Sequence, residues 1–332
     1  MKAVVMSAKG NADVLQCREI TAPVLTTDTQ VKVRLKAAGV NPVDTKLRSR
    51  GLYFDDALPA VLGCDGAGVV SEIGARVRRV KPGDEVWFCH GGLGREQGNY
   101  AEETVMEEHF VHHKPKSVDF IQAAAAPLVL LTAWEALYDR ARLSPGQSVL
   151  VHAGAGGVGH VAIQLAKLRQ CRVITTVGDA ARADFVRRLG ADEVVIYHER
   201  DFVEQVLQLT GNRGVDTALD TVGGATFVRT LDCMAHYSDV VTLLDPGTDV
   251  VWKAARNRNL RVGFELMLTP MLYGLTDAIG HQGDILDQCA RWIDDGRLSV
   301  SVGHCFSLAQ AVDAHRLIEE GHMQGKIVLV ID

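Results

Sequence analysis

Residues 148–167 read SVLVHAGAGGVGHVAIQLAK. The apolar run Val149–Val151 has the composition of a buried strand. Gly154, Gly156 and Gly159 follow at GxGxxG spacing, in a turn that also contains Gly157 and Val158. Val158, Val161, Ala162, Leu165 and Leu168 then recur at helical intervals. The order is strand, tight turn, helix. In that setting Gly154 permits the turn, Gly156 lets a pyrophosphate approach the backbone, and Gly159 lets helix and strand pack closely. The helix start offers unpaired N–H groups and the positive end of a dipole to an anion. A chain with 32 glycines produces such spacings by chance, so the flanking strand and helix carry the inference of a dinucleotide site.

Downstream of this motif strands and helices alternate. Strands are expected at 149–153, 172–177, 193–196, 215–219, 240–244 and 260–264. Helices are expected between them at 158–169, 180–189, 202–210 and 226–235. This pattern predicts a doubly wound parallel sheet. Upstream, short strands at 2–6, 30–37, 69–73, 85–88 and 100–105 are punctuated by glycines and by the turn Lys81-Pro82-Gly83-Asp84, which reads as a partly open barrel. Residues 121–140 have helical composition. The tail from Ile285 predicts two helices and a last strand, Lys326–Ile331, returning to the first domain.

At 332 residues the chain is long enough for two domains. Its 47% hydrophobic and 23% charged residues are those of a soluble globular protein. A net charge of −6 argues against nucleic acid as a partner. The start, MKAVVMSAKG, has no apolar core of an export signal, and no apolar run approaches a membrane span. Seven cysteines without a CxxC pair fit reduced thiols and a cytoplasmic location.

Several further segments carry a resemblance. They are Ala38-Gly39-Val40-Asn41-Pro42-Val43-Asp44, Leu62-Gly63-Cys64-Asp65-Gly66-Ala67-Gly68, Val80-Lys81-Pro82-Gly83-Asp84, Gly98-Asn99-Tyr100-Ala101-Glu102, Asp220-Thr221-Val222-Gly223-Gly224 and Gly325-Lys326-Ile327-Val328-Leu329. With the glycine turn, and in this order, they resemble the medium-chain dehydrogenase/reductase superfamily and its zinc-independent quinone oxidoreductase, zeta-crystallin-like branch. The resemblance implies a GroES-like, partly open β-barrel domain (1–122 and 270–332) and a Rossmann NADP-binding domain (123–269), with the active site between them. It also implies a homodimer through the Rossmann sheet edge.

The resemblance bears on metal. Zinc-dependent relatives hold the ion with Cys, His and Cys; here Asn41, Cys64 and Leu128 fall at those positions, with Asp65 for the neighbouring Glu. A catalytic zinc needs three N/S/O ligands and an open position, so no metal is expected. Cys64 and Asp65 retain a metal option only with a histidine, from among 90, 109, 112 and 113, of which His109, His112 and His113 otherwise read as surface residues.

It also bears on the cofactor. Asp179 lies about 20 positions past the glycines, where an acid can read the ribose of NAD. The strand is expected to end at Val177, which instead makes Asp179 a helix N-cap with Arg182 at N3. Gly178 then leaves space for a 2′-phosphate that Arg182 pairs with, unless Arg182 is an ordinary exposed helix residue. Tyr197 matches a tyrosine that relatives use near the same phosphate. Thr132 matches the helix that borders the nicotinamide, and His322 and Lys326 are further cofactor candidates. NADPH is the expected cofactor.

Without zinc an alkoxide is poorly stabilised, whereas a quinone or α,β-unsaturated carbonyl accepts hydride with less help. Asn41 occupies a position that faces substrate in relatives. Tyr53 is either a hydrogen-bond donor to the acceptor oxygen or a half-buried packing residue. Lys46 either favours an anionic intermediate or sits on the surface of the helix after Asp44, which itself is expected to bond backbone near the site. The apolar stretch Phe264–Tyr273, FELMLTPMLY, is a pocket wall or a packing surface between domains or protomers. The expected activity is reduction of a quinone or, indistinguishably at this level, an enone or 2-alkenal. A zinc alcohol dehydrogenase and a non-catalytic NADPH-binding protein are the remaining readings.

Overall fold

Strand Ser148–Val151 is the third of six in a sheet whose order is Glu193–Ile196, Arg172–Val177, Ser148–Val151, Val215–Asp220, Met234–Thr242, Arg261–Phe264. Every pairing in it is parallel. Val149, Leu150 and Val151 are wholly buried, as a central strand covered on both faces requires. The chain builds outward from this strand in one direction, then restarts on its other side with Val215–Asp220. That reversal is the switch point at which doubly wound sheets bind ligands.

The computed structural model describes residues 1–332 except Asp55, Asp56, Asp249 and His322, so the His322 candidate lies outside the described residues. Two units divide the chain. One comprises Met1–Leu128 and Leu268–Asp332, the other Val129–Met267, which contains the parallel sheet. In the first unit the larger sheet has the order Val302–Ser307, Lys326–Val330, Gln30–Val40, Asp65–Ile73, Glu85–Cys89, His112–His113, with Glu103–Glu107 also pairing Gln30–Val40. A smaller sheet joins Leu15–Glu19, Lys2–Met6 and Ala60–Val61. The last strand runs antiparallel to Gln30–Val40, with Leu329 opposite Ala38, so the tail completes the first unit. Gly68 is required where strands press together, since a Cβ there would lie 2.1 Å from the carbonyl oxygen of Arg34.

Several elements differ from expectation. The helical stretch 121–140 divides into Phe120–Ala124, Pro127–Trp134 and a wider π turn over Glu135–Arg140. Pro127 has no N–H with which to continue the first helix. The strand expected at 100–105 lies at Glu103–Glu107, while Ala101 forms only an isolated bridge to Ala3 and Tyr100 bonds Asp44 through its hydroxyl. The helix expected at 226–235 stops at Thr230, and Met234 already begins a strand. In the tail, the first helix starts at Thr276, and an unforeseen strand, Val302–Ser307, precedes the final helix Ala311–Glu320. Among the described residues no helix is long and apolar enough to cross a membrane.

Candidate active site

In the parallel-sheet unit the glycine turn follows strand Ser148–Val151. The left-handed residue in it is Ala153, with φ 48°. Gly154 is needed for a different reason than turn conformation: a Cβ there would fall 2.0 Å from Thr175 Oγ1 on the adjacent strand. A Cβ on Gly159 would lie 2.3 Å from the Ala153 carbonyl oxygen, so this glycine brings the helix Gly159–Leu168 against the turn. Gly156, Gly157 and Val158 are half-buried, and a Cβ on Gly156 meets only the Ala153 oxygen, at 3.2 Å. The turn therefore keeps an open side above the first amides of a ten-residue helix, a place suited to a diphosphate.

Beneath the turn lies a network that the sequence pattern did not disclose. His152, fully buried, bridges Thr176 Oγ1 at 3.1 Å and Thr230 Oγ1 at 2.9 Å. Thr176 Oγ1 also accepts from the Ala153 N–H, and the Thr221 hydroxyl donates to the His152 carbonyl. The Thr230 hydroxyl donates to the Thr226 carbonyl, so it accepts from His152 Nε2. Burial lowers the His152 pKa to about 4, against the opposing charge of Asp220, so the ring is neutral near pH 7. Asp220 accepts from the amides of Val222 and Gly223 and from the Thr242 hydroxyl. Both loops at the switch point are thus fixed by buried side chains. The only sequence signal was a histidine inside the glycine motif.

At the end of strand Arg172–Val177, a Cβ on Gly178 would lie 3.0 Å from the Tyr197 hydroxyl, so these two candidates are neighbours. Asp179 caps helix Ala180–Arg188, accepting from the Arg182 N–H at 2.8 Å. Its other oxygen pairs with the Arg182 guanidinium. The capping and charge of Arg182 hold the Asp179 carboxyl below its usual range. Thr132 lies buried on helix Pro127–Trp134.

The other unit holds a buried polar cluster. Asn41 caps helix Pro42–Arg50 and its backbone N–H donates to Asp44 Oδ2 at 2.8 Å. Its side-chain amide donates to Asp65 Oδ2 at 2.9 Å, and its side-chain carbonyl accepts from the Lys326 ammonium. Lys326 also donates to the Val40 carbonyl at 3.1 Å and stands 3.9 Å from the Asp65 carboxylate. Asp65 Oδ1 accepts from the Leu128 N–H at 2.8 Å. Tyr100 donates to Asp44 Oδ2 at 2.9 Å. Burial raises the Asp44 pKa to about 7, and it also raises Asp65 and lowers Lys326, each opposed by the other's charge.

This donor set does not fit a catalytic zinc. The amide of Asn41 is committed on both sides, the Cys64 thiol is held protonated by burial, and an ammonium stands among the candidate ligands. Among the described residues no three His, Cys, Asp or Glu side chains are grouped to hold a metal ion.

Tyr53 is 47% exposed, its N–H donates to the Leu93 carbonyl, and burial with the nearby Cys64 and Tyr273 raises its pKa. Lys46 faces outward from its helix, its pKa lowered by partial burial and by Arg50. The structure thus joins Asn41 and Lys326 in one cluster and places Lys46 on the outer face of helix Pro42–Arg50. The stretch Phe264–Tyr273 contributes Met271 and Tyr273 to a cavity of about 480 Å³ with Phe54 and Leu93.

A family model described as an alcohol dehydrogenase GroES-like domain matches residues 27–116, and one described as a zinc-binding dehydrogenase matches residues 189–329. The chain is 33% identical to a quinone oxidoreductase of Pseudomonas aeruginosa over 99% of both chains. The Escherichia coli quinone oxidoreductase, solved in complex with NADPH, is 31% identical and superposes with a TM-score of 0.88 over 99% of this chain and 100% of that one. A solved 2-haloacrylate reductase is 29% identical, with a TM-score of 0.81 over 99% of each chain. Quinone oxidoreductases matched over nearly the whole chain, on the same fold, define an oxidoreductase. The chain belongs to the medium-chain dehydrogenase/reductase superfamily, in its zinc-independent quinone oxidoreductase branch.

Proposed function

We propose that the protein is an NADPH-dependent reductase that delivers hydride to a quinone or a similar conjugated carbonyl without a catalytic metal. The observation that carries this reading is the Asn41–Lys326 pair, which puts an ammonium where zinc-dependent relatives need lone pairs. NADPH, when bound, supplies the hydride. Gly154, Gly156, Gly157, Val158 and Gly159 hold its diphosphate, Thr132 borders its nicotinamide, and Gly178, Arg182 and Tyr197 receive its 2′-phosphate. The NADPH complex of the E. coli relative supports the cofactor assignment.

The Tyr53 hydroxyl donates to the acceptor oxygen as charge develops there, and its raised pKa keeps the proton in place. Lys46, exposed on the outer face of helix Pro42–Arg50, is left out of the hydride step. Solvent supplies the one proton that neutralises the phenolate or enolate left by hydride addition. The likeness to a 2-haloacrylate reductase favours a second reading, reduction of an enone or enal by the same hydride step. A cytoplasmic homodimer belongs to the same proposal. Strand Arg261–Phe264 ends the parallel sheet, and Phe264 on it is 59% exposed.

The test is NADPH oxidation followed at 340 nm with 1,4-benzoquinone and with a 2-alkenal, beside NADP⁺ reduction by a primary alcohol. Turnover of either conjugated acceptor, with no alcohol oxidation, is the expected result. Alcohol oxidation that depends on added zinc, or tight NADPH binding with no turnover, would remove the reading.

A further inference from the structure

The cavity of about 480 Å³ is bounded by Phe54, Leu93, Arg95, Glu96, Met271 and Tyr273. Its walls are tied together, since the Tyr53 N–H donates to the Leu93 carbonyl and the Gly91 N–H to Met271 Sδ at 3.2 Å. Tyr53 stands beside it, close enough for Tyr273 to act on its hydroxyl. Three walls are apolar or aromatic, and the volume suits an acceptor of one or two rings. The cavity also carries charge. The Arg95 guanidinium lies over the Phe54 ring, 4.0 Å from its centroid.

Many arginines of this chain pair with carboxylates, as in Arg48–Glu319, Arg140–Glu265 and Arg261–Asp239. Among the described residues no carboxylate pairs with Arg95; its contact is the ring face. The ring contact leaves the guanidinium without a carboxylate among the described residues, and its forked N–H groups suit a carboxylate held by two parallel hydrogen bonds. Arg95 is itself exposed, so the pair forms at the mouth of the cavity, where two parallel bonds rather than exclusion of water carry the selectivity. Among the described lining residues Glu96 is the other charge, and it opposes an acceptor with more than one negative charge.

We propose that this cavity is the acceptor pocket and that Arg95 selects conjugated carbonyls bearing a single carboxylate. The proposal rests on the reading above that the protein reduces conjugated carbonyls, and it names their class.

The test compares 3-benzoylacrylate with its neutral amide, reading the ratio of kcat/KM for the acid to that for the amide with NADPH. The acid is expected to be favoured. A charged hydrogen-bonded pair predicts that Arg95→Gln lowers the ratio about tenfold. Arg95→Lys is expected to keep part of the preference and Glu96→Gln to increase it. A ratio that Arg95→Gln leaves within twofold of wild type overturns the proposal, as does a wild-type preference for the amide. Should neither compound turn over, the functional reading still stands or falls on 1,4-benzoquinone and the 2-alkenal. Calorimetric binding of the saturated 3-benzoylpropionate and its amide then decides the pocket separately. A preference for the acid that Arg95→Gln abolishes sustains the assignment, and equal binding by wild type ends it.

Discussion

The ammonium of Lys326 donates to the side-chain carbonyl of Asn41, at a place where Lys326 is 3% exposed and Asn41 not at all. The Asp65 carboxylate, equally buried, completes the group at 3.9 Å from the ammonium. Removing one partner of a buried pair leaves an uncompensated charge, which costs roughly 3–5 kcal/mol. Lys326→Met is therefore expected to lower the melting temperature by about 10 °C. Adding Asp65→Asn should recover part of the loss, because it removes the stranded charge. Thermal unfolding of the two variants and wild type checks both steps; a single variant as stable as wild type would mean that the pair contributes nothing.

Asp44 makes stability depend on pH in a direction opposite to most carboxylates. Burial raises its pKa from 3.8 to about 7 in the folded chain. The native state therefore binds a proton that the unfolded state releases between these values. Its contribution is complete below about pH 4 and is lost as pH rises through 7, by roughly 4 kcal/mol over the full interval. Asp44→Asn keeps an acceptor for the Asn41 amide and the Tyr100 hydroxyl without the titration. The difference in melting temperature between variant and wild type should shift in the variant's favour from pH 5 to pH 8. A constant difference across that range would show that Asp44 does not titrate there.

Tyr237 sits at φ 58° and is 77% exposed, within strand Met234–Thr242. It lies in an irregularity: Val215 and Thr217 of the neighbouring strand oppose Met234 and Asp239, so three extra residues bow outward. The left-handed region costs a bulky residue roughly 1–2 kcal/mol, part of which glycine returns through its greater freedom when unfolded. Tyr237→Gly is expected to raise the melting temperature by one to a few degrees. An unchanged or lower value would show that the tyrosine ring contributes more than its backbone costs.

That bulge also shows where sequence reading reaches its end. The apolar residues of 226–235 allow a helical pattern, but the tight turn Leu231–Cys233 and the bowed strand depend on pairing with Val215, a residue distant in sequence. The parallel strands 172–177 and 193–196 were legible to the residue because continuous β-branched runs flanked by turns have one reading. The glycine turn was legible for the same reason, though Gly154 serves Thr175 rather than its own φ. Lys326 resembled a cofactor residue by its position in a motif. Its burial against Asn41 follows from antiparallel pairing of Ile327 with Val40, which no local pattern contains. Arg95 gave no sequence signal at all, since a lone surface arginine has no period or spacing.

Tyr53→Phe removes the proposed donor to the acceptor oxygen and little packing. The rate with a quinone is expected to fall by about 10²-fold, as for loss of one positioned donor. Because burial raises the tyrosine pKa, wild-type activity should persist into alkaline pH and then decline, and the variant should lack that decline. A variant with wild-type kcat and the same pH profile would return Tyr53 to a packing role.

Under the proposed NADPH assignment, cofactor choice turns on the competition for Arg182. Its guanidinium pairs with Asp179, the same carboxylate that caps the helix. A bound 2′-phosphate has to draw Arg182 from that partner. Arg182→Ala is therefore expected to raise the KM for NADPH about tenfold more than that for NADH, as befits a charge-assisted hydrogen bond. Asp179→Asn retains a capping oxygen while removing the ion pair to the arginine, and should lower the KM for NADPH with little change for NADH. The two variants thus move selectivity in opposite directions. Steady-state kinetics with both cofactors read this directly, and equal shifts for NADPH and NADH in Arg182→Ala would take the arginine out of the phosphate site.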